Sequence, residues 1–182
     1  YTWSTPNGRK VSIMLEECAL PYRVHKINIG TNSEQFTPEY LKINPNGKIP
    51  SIVDPDGPDG KPIALMESGA ILIYLAEKTK KFFPGKIKYD VLQWLMFQMG
   101  GVGPMFGQAH HFMRAKKDEI PYGSERYGNE AKRLYGVMDK HLSSHRFFAD
   151  EYSIADMAIY PWVARHEWHR VELGAFPSVK RW

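Results

Sequence analysis

Residues 4–10 read S-T-P-N-G-R-K, between a β-prone opening, Tyr1-Thr2-Trp3, and an amphipathic run that begins at Val11. The order is strand, turn, helix, and such a turn sets backbone N–H groups at a helix N-terminus, where anions bind. Thr5 adds a hydroxyl and Asn7 an amide, yet the stretch holds no cysteine, histidine or carboxylate. It offers only neutral hydrogen-bond donors, unless Asn7-Gly8 is merely a turn and helix cap. A second junction of this kind is Glu67-Ser68, where a strand gives way to a helix. There the Ser68 hydroxyl and local N–H groups either receive a carboxylate or serve as a plain N-cap. Ile49-Pro50 is a third candidate. A cis bond would turn the Ile49 backbone toward an extended peptide; a trans proline in an edge strand is the alternative. His110-His111 make no metal site, because adjacent residues diverge on a helix and no third ligand stands at a usual spacing.

The elements that must position these groups follow from the pattern. Val11, Met14, Leu15 and Cys18 fall at i, i+3, i+4 and i+7, one apolar stripe of a helix. Tyr22 to Ile29 reads as a strand with imperfect alternation. Thr37-Pro38 is an N-cap with proline at the first helical position, opening a short helix through Leu41. Ile49–Val53 and Pro62–Met66 flank the turn cluster D-P-D-G-P-D-G and read as a hairpin. Ser68–Lys78 is helical, burying Ile71, Leu72 and Leu75. Residues 1–81 thus form one α/β domain, β-α-β-α-β-β-α. After F-F-P-G, with 82–88 as a linker, strand signals stop. Val91, Leu92, Leu95, Met96 and Met99 make a helical stripe, as do Tyr127, Ala131, Leu134, Tyr135, Met138 and Leu142. Another helix opens at S-I-A-D, Ser153 capping it and Asp156 closing a capping box. Residues 89–182 are an all-helical domain.

Composition excludes several functions. The 182 residues are 43% hydrophobic, enough for a real core. Lys and Arg number 24 against 20 Asp and Glu, scattered without a basic run, which argues against nucleic-acid binding and suits a small anionic ligand. No apolar stretch is long enough to span a membrane. The chain begins without Met, inside an expected strand, so a leader is expected to precede it. A single cysteine, Cys18, excludes an intrachain disulfide and a CxxC pair. The default setting is reducing and cytoplasmic.

Three motifs in this order resemble the glutathione transferase superfamily: N-P-N-G-K-I-P (44–50), M-E-S-G-A-I-L-I-Y-L-A (66–76) and S-I-A-D (153–156). Together they span nearly the whole chain. The turn S-T-P-N-G-R-K, with M-G-G-V-G-P-M-F-G-Q-A-H-H-F (99–112) and I-P-Y-G-S-E-R-Y (120–127), is similar to the nu-class branch of glutathione-dependent disulfide-bond oxidoreductases. Fungal nitrogen-regulator relatives share that turn. The linker near 84–88 and the segment 145–150 are a residue or two shorter than the family pattern, and the chain stops earlier.

The resemblance implies a thioredoxin-like N-terminal domain and an all-α C-terminal domain, with glutathione as cosubstrate and no metal. It implies that Glu67 and Ser68 hold the γ-Glu end, that a cis Ile49-Pro50 clamps the cysteine, and that Lys48, aided by Gln35, meets the glycyl carboxylate. Thr5 and Asn7 then donate to the glutathione thiolate. Lowering a thiol by two units from ~8.5 needs about 2.7 kcal/mol, within reach of one or two hydrogen bonds to a charged group. Arg126 resembles a cleft arginine that binds a glutathione carboxylate, against the alternative of pairing with Glu125 or Glu130. Trp94, Phe97, Phe106 and Phe112 are expected in the core, at a homodimer contact or in an apolar second-substrate pocket, and His110 and His111 at the cleft or interface. The expected activity is reduction of small disulfides, with weak transferase and peroxidase side activities. The rivals are a non-catalytic glutathione-binding regulator and a transferase that conjugates electrophiles through Ser4 or Thr5.

Overall fold

A computed structural model describes residues 1–182, which divide into two compact units, Tyr1–Lys81 and Phe82–Trp182. In the first unit α1 (Pro6–Glu17) starts five residues before the apolar run. Thr5 caps it and Pro6 takes the first helical position, where its missing N–H costs nothing. Helix α2 (Pro38–Leu41) opens on the expected Thr37 cap, whose Oγ1 accepts from the Tyr40 N–H at 3.4 Å. Strands β1 (Ser51–Asp54) and β2 (Ile63–Met66) form the expected antiparallel hairpin, Ser51 opposite Met66. Helix α3 (Ser68–Thr79) follows β2 directly and packs on α1.

The strands expected at 1–3 and 22–29 are reduced to a single parallel bridge between Thr2 and Lys26. The Thr2 N–H donates to the His25 carbonyl at 2.9 Å and the Ile27 N–H to the Thr2 carbonyl at 3.0 Å. Tyr1 and Ser51 exchange both their bonds at 3.0 Å, the antiparallel pattern. The backbone order is therefore 25–27, 1–2, β1, β2, the thioredoxin-like arrangement with its first two members shortened. Pairing ends after Thr2 because the chain turns at Ser4-Thr5 into α1. Gly8 makes that turn passable: a Cβ there would lie 2.4 Å from Thr2 Oγ1 and 2.5 Å from the Trp3 carbonyl. The unit's core joins Val11, Met14 and Cys18 of α1 to Ile71, Leu72 and Leu75 of α3. Each Val, Ile, Leu or Met side chain among them contributes about 1.5–3 kcal/mol on burial. Leu15, expected in the stripe, is only half-buried and lines a cavity.

The second unit is all-helical: α4 (Lys88–Phe97), α5 (Gly103–His110), α6 (Pro121–Leu142), α7 (Ile154–Val163) and α8 (Pro177–Arg181). Widened π-helical turns at Gln98–Val102 and His111–Ala115 flank α5. Helix α5 has no clean stripe in the sequence, since G-G-V-G-P interrupts the period and Pro104 has no N–H to give. Phe106 and Tyr135 stack at 4.8 Å in the core between α5 and α6. The capping box at Ser153 and Asp156 is formed as expected. No helix is long and apolar enough to cross a membrane.

Candidate functional site

Thr5 is extended, and its Oγ1 accepts from the Gly8 N–H at 3.1 Å. The N-cap of α1 is thus Thr5, and Asn7-Gly8 lie inside the first helical turn rather than forming a turn and cap of their own. The capping bond uses a lone pair of the Thr5 oxygen and leaves its proton to donate. Both Thr5 and Asn7 are half-buried at the positive end of a twelve-residue helix.

The Glu67-Ser68 junction holds two features beyond the sequence motif. Glu67 is the N-cap residue of α3, with φ +67° and ψ 114°, and its side chain caps nothing. A non-glycine residue in that region costs on the order of 1–3 kcal/mol, and such residues cluster at functional sites. Ser68 is the first helical residue, so it is not the N-cap that the alternative reading required. It is 4% exposed, and its Oγ accepts from Lys10 Nζ at 3.2 Å. Lys10 itself is 1% exposed. Burial pulls its ammonium down to about 7, while the Glu67 carboxylate pushes it back up. Lys10 is not among the residues that the sequence motifs single out. The signal was its spacing: Lys10, Met14 and Cys18 are four residues apart, on the buried stripe.

The Ile49-Pro50 bond is cis. The preceding loop is fixed by Lys48, whose carbonyl accepts from the Tyr40 hydroxyl at 2.5 Å and from Asn44 Nδ2 at 2.6 Å. Gly47 supplies the φ of +62° that the turn requires, and a Cβ there would lie 2.9 Å from the Phe36 ring. Ile49 gives neither its N–H nor its C=O to a backbone bond of the chain. The Lys48 side chain is exposed. Gln35, in a 3-10 turn (Glu34–Phe36), has its Oε1 buried without a partner.

Arg126 belongs to the second unit. It is exposed on α6, and its Nη1 donates to the Tyr122 hydroxyl at 3.4 Å. It forms an ion pair with neither Glu125 nor Glu130, the alternative reading, and Glu130 is held by Arg133 at 2.7 and 2.8 Å. His110 stacks on Trp168 at 4.4 Å, and burial with Arg114 nearby lowers its pKa. Trp94 packs against Phe97, His141 and Phe148, and Phe112 stacks on Tyr127. No group of three or more His, Cys, Asp or Glu could hold a metal ion.

A cavity of about 760 Å³ in the first unit is lined by Leu15, Leu20, Tyr22, Val24 and Val53 among others. Of the candidate residues only Pro50 reaches it. It is a mostly apolar gap bordered by α1, the 20–25 segment, β1 and α3, with Arg23, His25, Asp54 and Lys78 also in its lining.

Family models described as Glutathione S-transferase, N-terminal domain and Glutathione S-transferase, C-terminal domain match residues 5–78 and 90–182. The Escherichia coli disulfide-bond oxidoreductase YfcG is 48% identical over all of this chain and 86% of its own. A glutathione transferase from Pseudomonas putida, solved with one glutathione disulfide bound per subunit, superposes with a TM-score of 0.94 at 49% identity, over all of this chain and 82% of that one. A family member from Pseudomonas fluorescens, solved with two glutathione bound, gives a TM-score of 0.92 at 48% identity over 100% and 84%.

Proposed function

Since the chain belongs to the glutathione S-transferase family, we propose that it binds glutathione on the unit Tyr1–Lys81 and uses the bound thiolate to reduce small disulfides. Glu67 accepts from the α-amino group of the γ-glutamyl end, while Ser68 and the N-terminus of α3 receive its carboxylate. The unpaired Ile49 backbone clamps the cysteine residue. Lys48 meets the glycyl carboxylate, and Gln35, whose oxygen lacks a partner, meets a donor of the tripeptide. Thr5 and Asn7 donate to the sulfur, and the dipole of α1 favours its charged form. Arg126 binds a carboxylate of a second glutathione.

The chemistry balances without an enzyme thiol. A glutathione thiolate attacks one sulfur of the substrate disulfide, forming a mixed disulfide and expelling the other half as a thiolate, which takes a proton. A second glutathione thiolate attacks the mixed disulfide at the glutathione sulfur. Glutathione disulfide leaves, and the remaining half of the substrate is released reduced. The observation that carries this reading is the place of the sole cysteine. Cys18 lies at the C-terminal end of α1, buried, while Thr5 and Asn7 mark its other end. The sulfur that reacts at that turn is therefore the ligand's. The choice of disulfides over electrophiles is supported by the relative named a disulfide-bond oxidoreductase. A homodimer and a cytoplasmic setting belong to the same proposal.

Steady-state assays with glutathione compare a small dialkyl disulfide with an aryl halide. The disulfide is expected to turn over faster by at least about tenfold, a difference of about 1.4 kcal/mol in the barrier. Preference for the aryl halide would make the chain a conjugating transferase. Binding of glutathione without either turnover would make it a non-catalytic binder.

A further inference from the structure

We propose that the second unit presents a docking surface for an acidic polypeptide, centred on Trp168 and built with Arg114, Arg165 and His110. Carboxylates of the partner accept from the two guanidiniums, which the fold holds ready against the indole. The surface shares no residue with the proposed glutathione site.

Trp168 lies in a 3-10 turn (His166–His169) that follows Arg165. His110 closes α5, and Arg114 stands in the π-helical turn after it. The His110 ring stacks on Trp168 at 4.4 Å. The guanidinium carbon of Arg114 lies 4.3 Å from the centre of the Trp168 ring, and that of Arg165 4.6 Å. Each contact attracts, yet together they bring two like charges to one side chain. Neither charge is neutralised. Asp118 is held by Arg170 at 2.5 Å, Glu119 pairs with Lys116 at 3.7 Å, and the exposed Glu167 makes no ion pair. Arg114 and Arg165 give no side-chain hydrogen bond or ion pair to the chain, so their N–H donors are unspent. The positive field registers at His110, whose pKa is lowered by burial and then by Arg114 and His111.

These features fit a partner that carries carboxylates. A planar guanidinium meets a carboxylate through two parallel bonds. Stacking on the indole fixes the guanidinium plane beforehand, so less freedom is lost on binding. Trp and Arg are also the side chains that most often carry the energy of protein interfaces. Lys117, exposed and unpaired, extends the positive surface next to Arg114 in the chain. Other occupants fit less well. With His110 and two guanidiniums against it, the indole has little face left for a base or a lipid chain. A second copy of this chain meets like charge, since Lys and Arg number 24 against 20 Asp and Glu.

The test measures fluorescence anisotropy of a fluorescein-labelled octa-glutamate peptide at low salt, where such contacts are least screened. Wild type should bind it. Arg114→Gln with Arg165→Gln should weaken binding by at least about tenfold, as expected for losing hydrogen bonds to charged groups. Lys132→Gln with Lys140→Gln removes the same charge from exposed, unpaired positions of α6 and should change binding by less than about twofold. Arg114→Lys with Arg165→Lys keeps the charge without the planar fork and should recover only part of the loss. Trp168→Leu keeps both arginines but removes their platform and should weaken binding about threefold or more. Circular dichroism checks that each variant folds; if Trp168→Leu does not, the arginine pairs carry the test. Full binding by the lysine pair, or equal losses in the two glutamine pairs, would reduce the surface to net charge and overturn the inference. So would absence of binding by wild type. Tighter binding of anionic phospholipid vesicles or of octathymidylate would assign the surface to a lipid or a nucleic acid and overturn the acidic polypeptide as its occupant.

Discussion

Each unit buries one charged side chain almost completely, and the two are treated differently. Asp156 of α7 is 2% exposed and is surrounded by donors: the Phe148 N–H at 3.2 Å, the Ser153 N–H at 3.1 Å, the Ser153 hydroxyl at 3.3 Å and Trp182 Nε1 at 2.8 Å. Burial still raises its carboxyl above the usual range, but every oxygen has its partner. Lys10 is buried beside two groups that are themselves assigned to a ligand. A buried charge enclosed by the fold's own backbone ties helices together. One that leans on an anchor serialises structure and binding, so its removal should separate them. Opposite signs of the stability effect are the expected mark of that difference.

The largest effect tests the closed case. Asp156→Ala removes the acidic N3 residue of the capping box and leaves the Phe148 and Trp182 donors without partners. A lost cap contributes about 1 kcal/mol and each orphaned buried donor about 1–3, so urea melts should show a loss of about 3–7 kcal/mol. Asp156→Asn keeps an acceptor in place and should lose about 1 kcal/mol. Equal losses in both variants would mean that the charge, not the accepting oxygen, holds the helix.

Lys10→Met should have the opposite sign. Replacing a buried ionised group by an apolar one of similar length stabilises by about 1–4 kcal/mol where the group would be charged. The folded pKa is about 7 and the ordinary one is 10.5. Between those values the unfolded chain holds a proton that the folded chain has lost, so wild-type stability rises with pH across that window. The advantage of methionine should therefore be greatest at and below pH 7 and shrink as pH climbs toward 10. A constant advantage at every pH would show that Lys10 does not titrate within the fold.

Ser68→Ala sharpens the comparison from the ligand side. It should raise KM for glutathione by the equivalent of about 1–3 kcal/mol and leave kcat less affected, because the carboxylate is bound equally in ground and transition states. A fall in thermal stability with no change in KM would make Ser68 structural, like Ser153. Asn7→Ala should behave in reverse. The thiol pKa of bound glutathione, read by ultraviolet absorbance, should rise by about one unit and turnover should fall about tenfold, with binding little changed. An unchanged thiol pKa would remove Asn7 from the reaction.

The same contrast explains what the sequence could disclose. Helices α1, α3, α4 and α6 were legible because each carries an apolar stripe of several turns. The capping box of α7 was legible because Ser153 and Asp156 act within three residues of each other. The strands at 1–3 and 22–29 were over-read, since alternation registers β-propensity but not where pairing ends; here it ends after Thr2. At the site, Glu67, Ser68 and Ile49-Pro50 could be picked out from motifs. The positive φ of Glu67 could not, and the burial of Lys10 is signalled only by spacing, not by any motif. A lysine after N-G-R reads as solvent-facing until its four-residue spacing to Met14 and Cys18 is set beside it.

The smallest effect concerns Cys18, and it bears on the whole mechanism. Cys18 is 7% exposed at the C-cap of α1, with its Sγ 3.4 Å from Thr79 Oγ1 and 4.0 Å from Met14 Sδ. A reactive cysteine is wanted at a helix N-terminus, where the dipole stabilises its thiolate. The C-terminal end carries the opposite partial charge and disfavours an anion. Cys18 therefore packs as a small hydrophobe, joining α1 to α3. Cys18→Ala should fold with a loss of about 1 kcal/mol, from a small cavity that the neighbouring Met14 can partly fill. Turnover of a small disulfide should stay within about twofold of wild type, because both sulfurs of the product come from glutathione. Mass spectrometry during turnover should find no glutathione attached to the protein. A folded but inactive variant, or a Cys18–glutathione mixed disulfide that forms and decays at the rate of turnover, would move the chemistry from the ligand's sulfur to the protein's. Thr5 and Asn7 would then lose the thiolate they are assigned to hold.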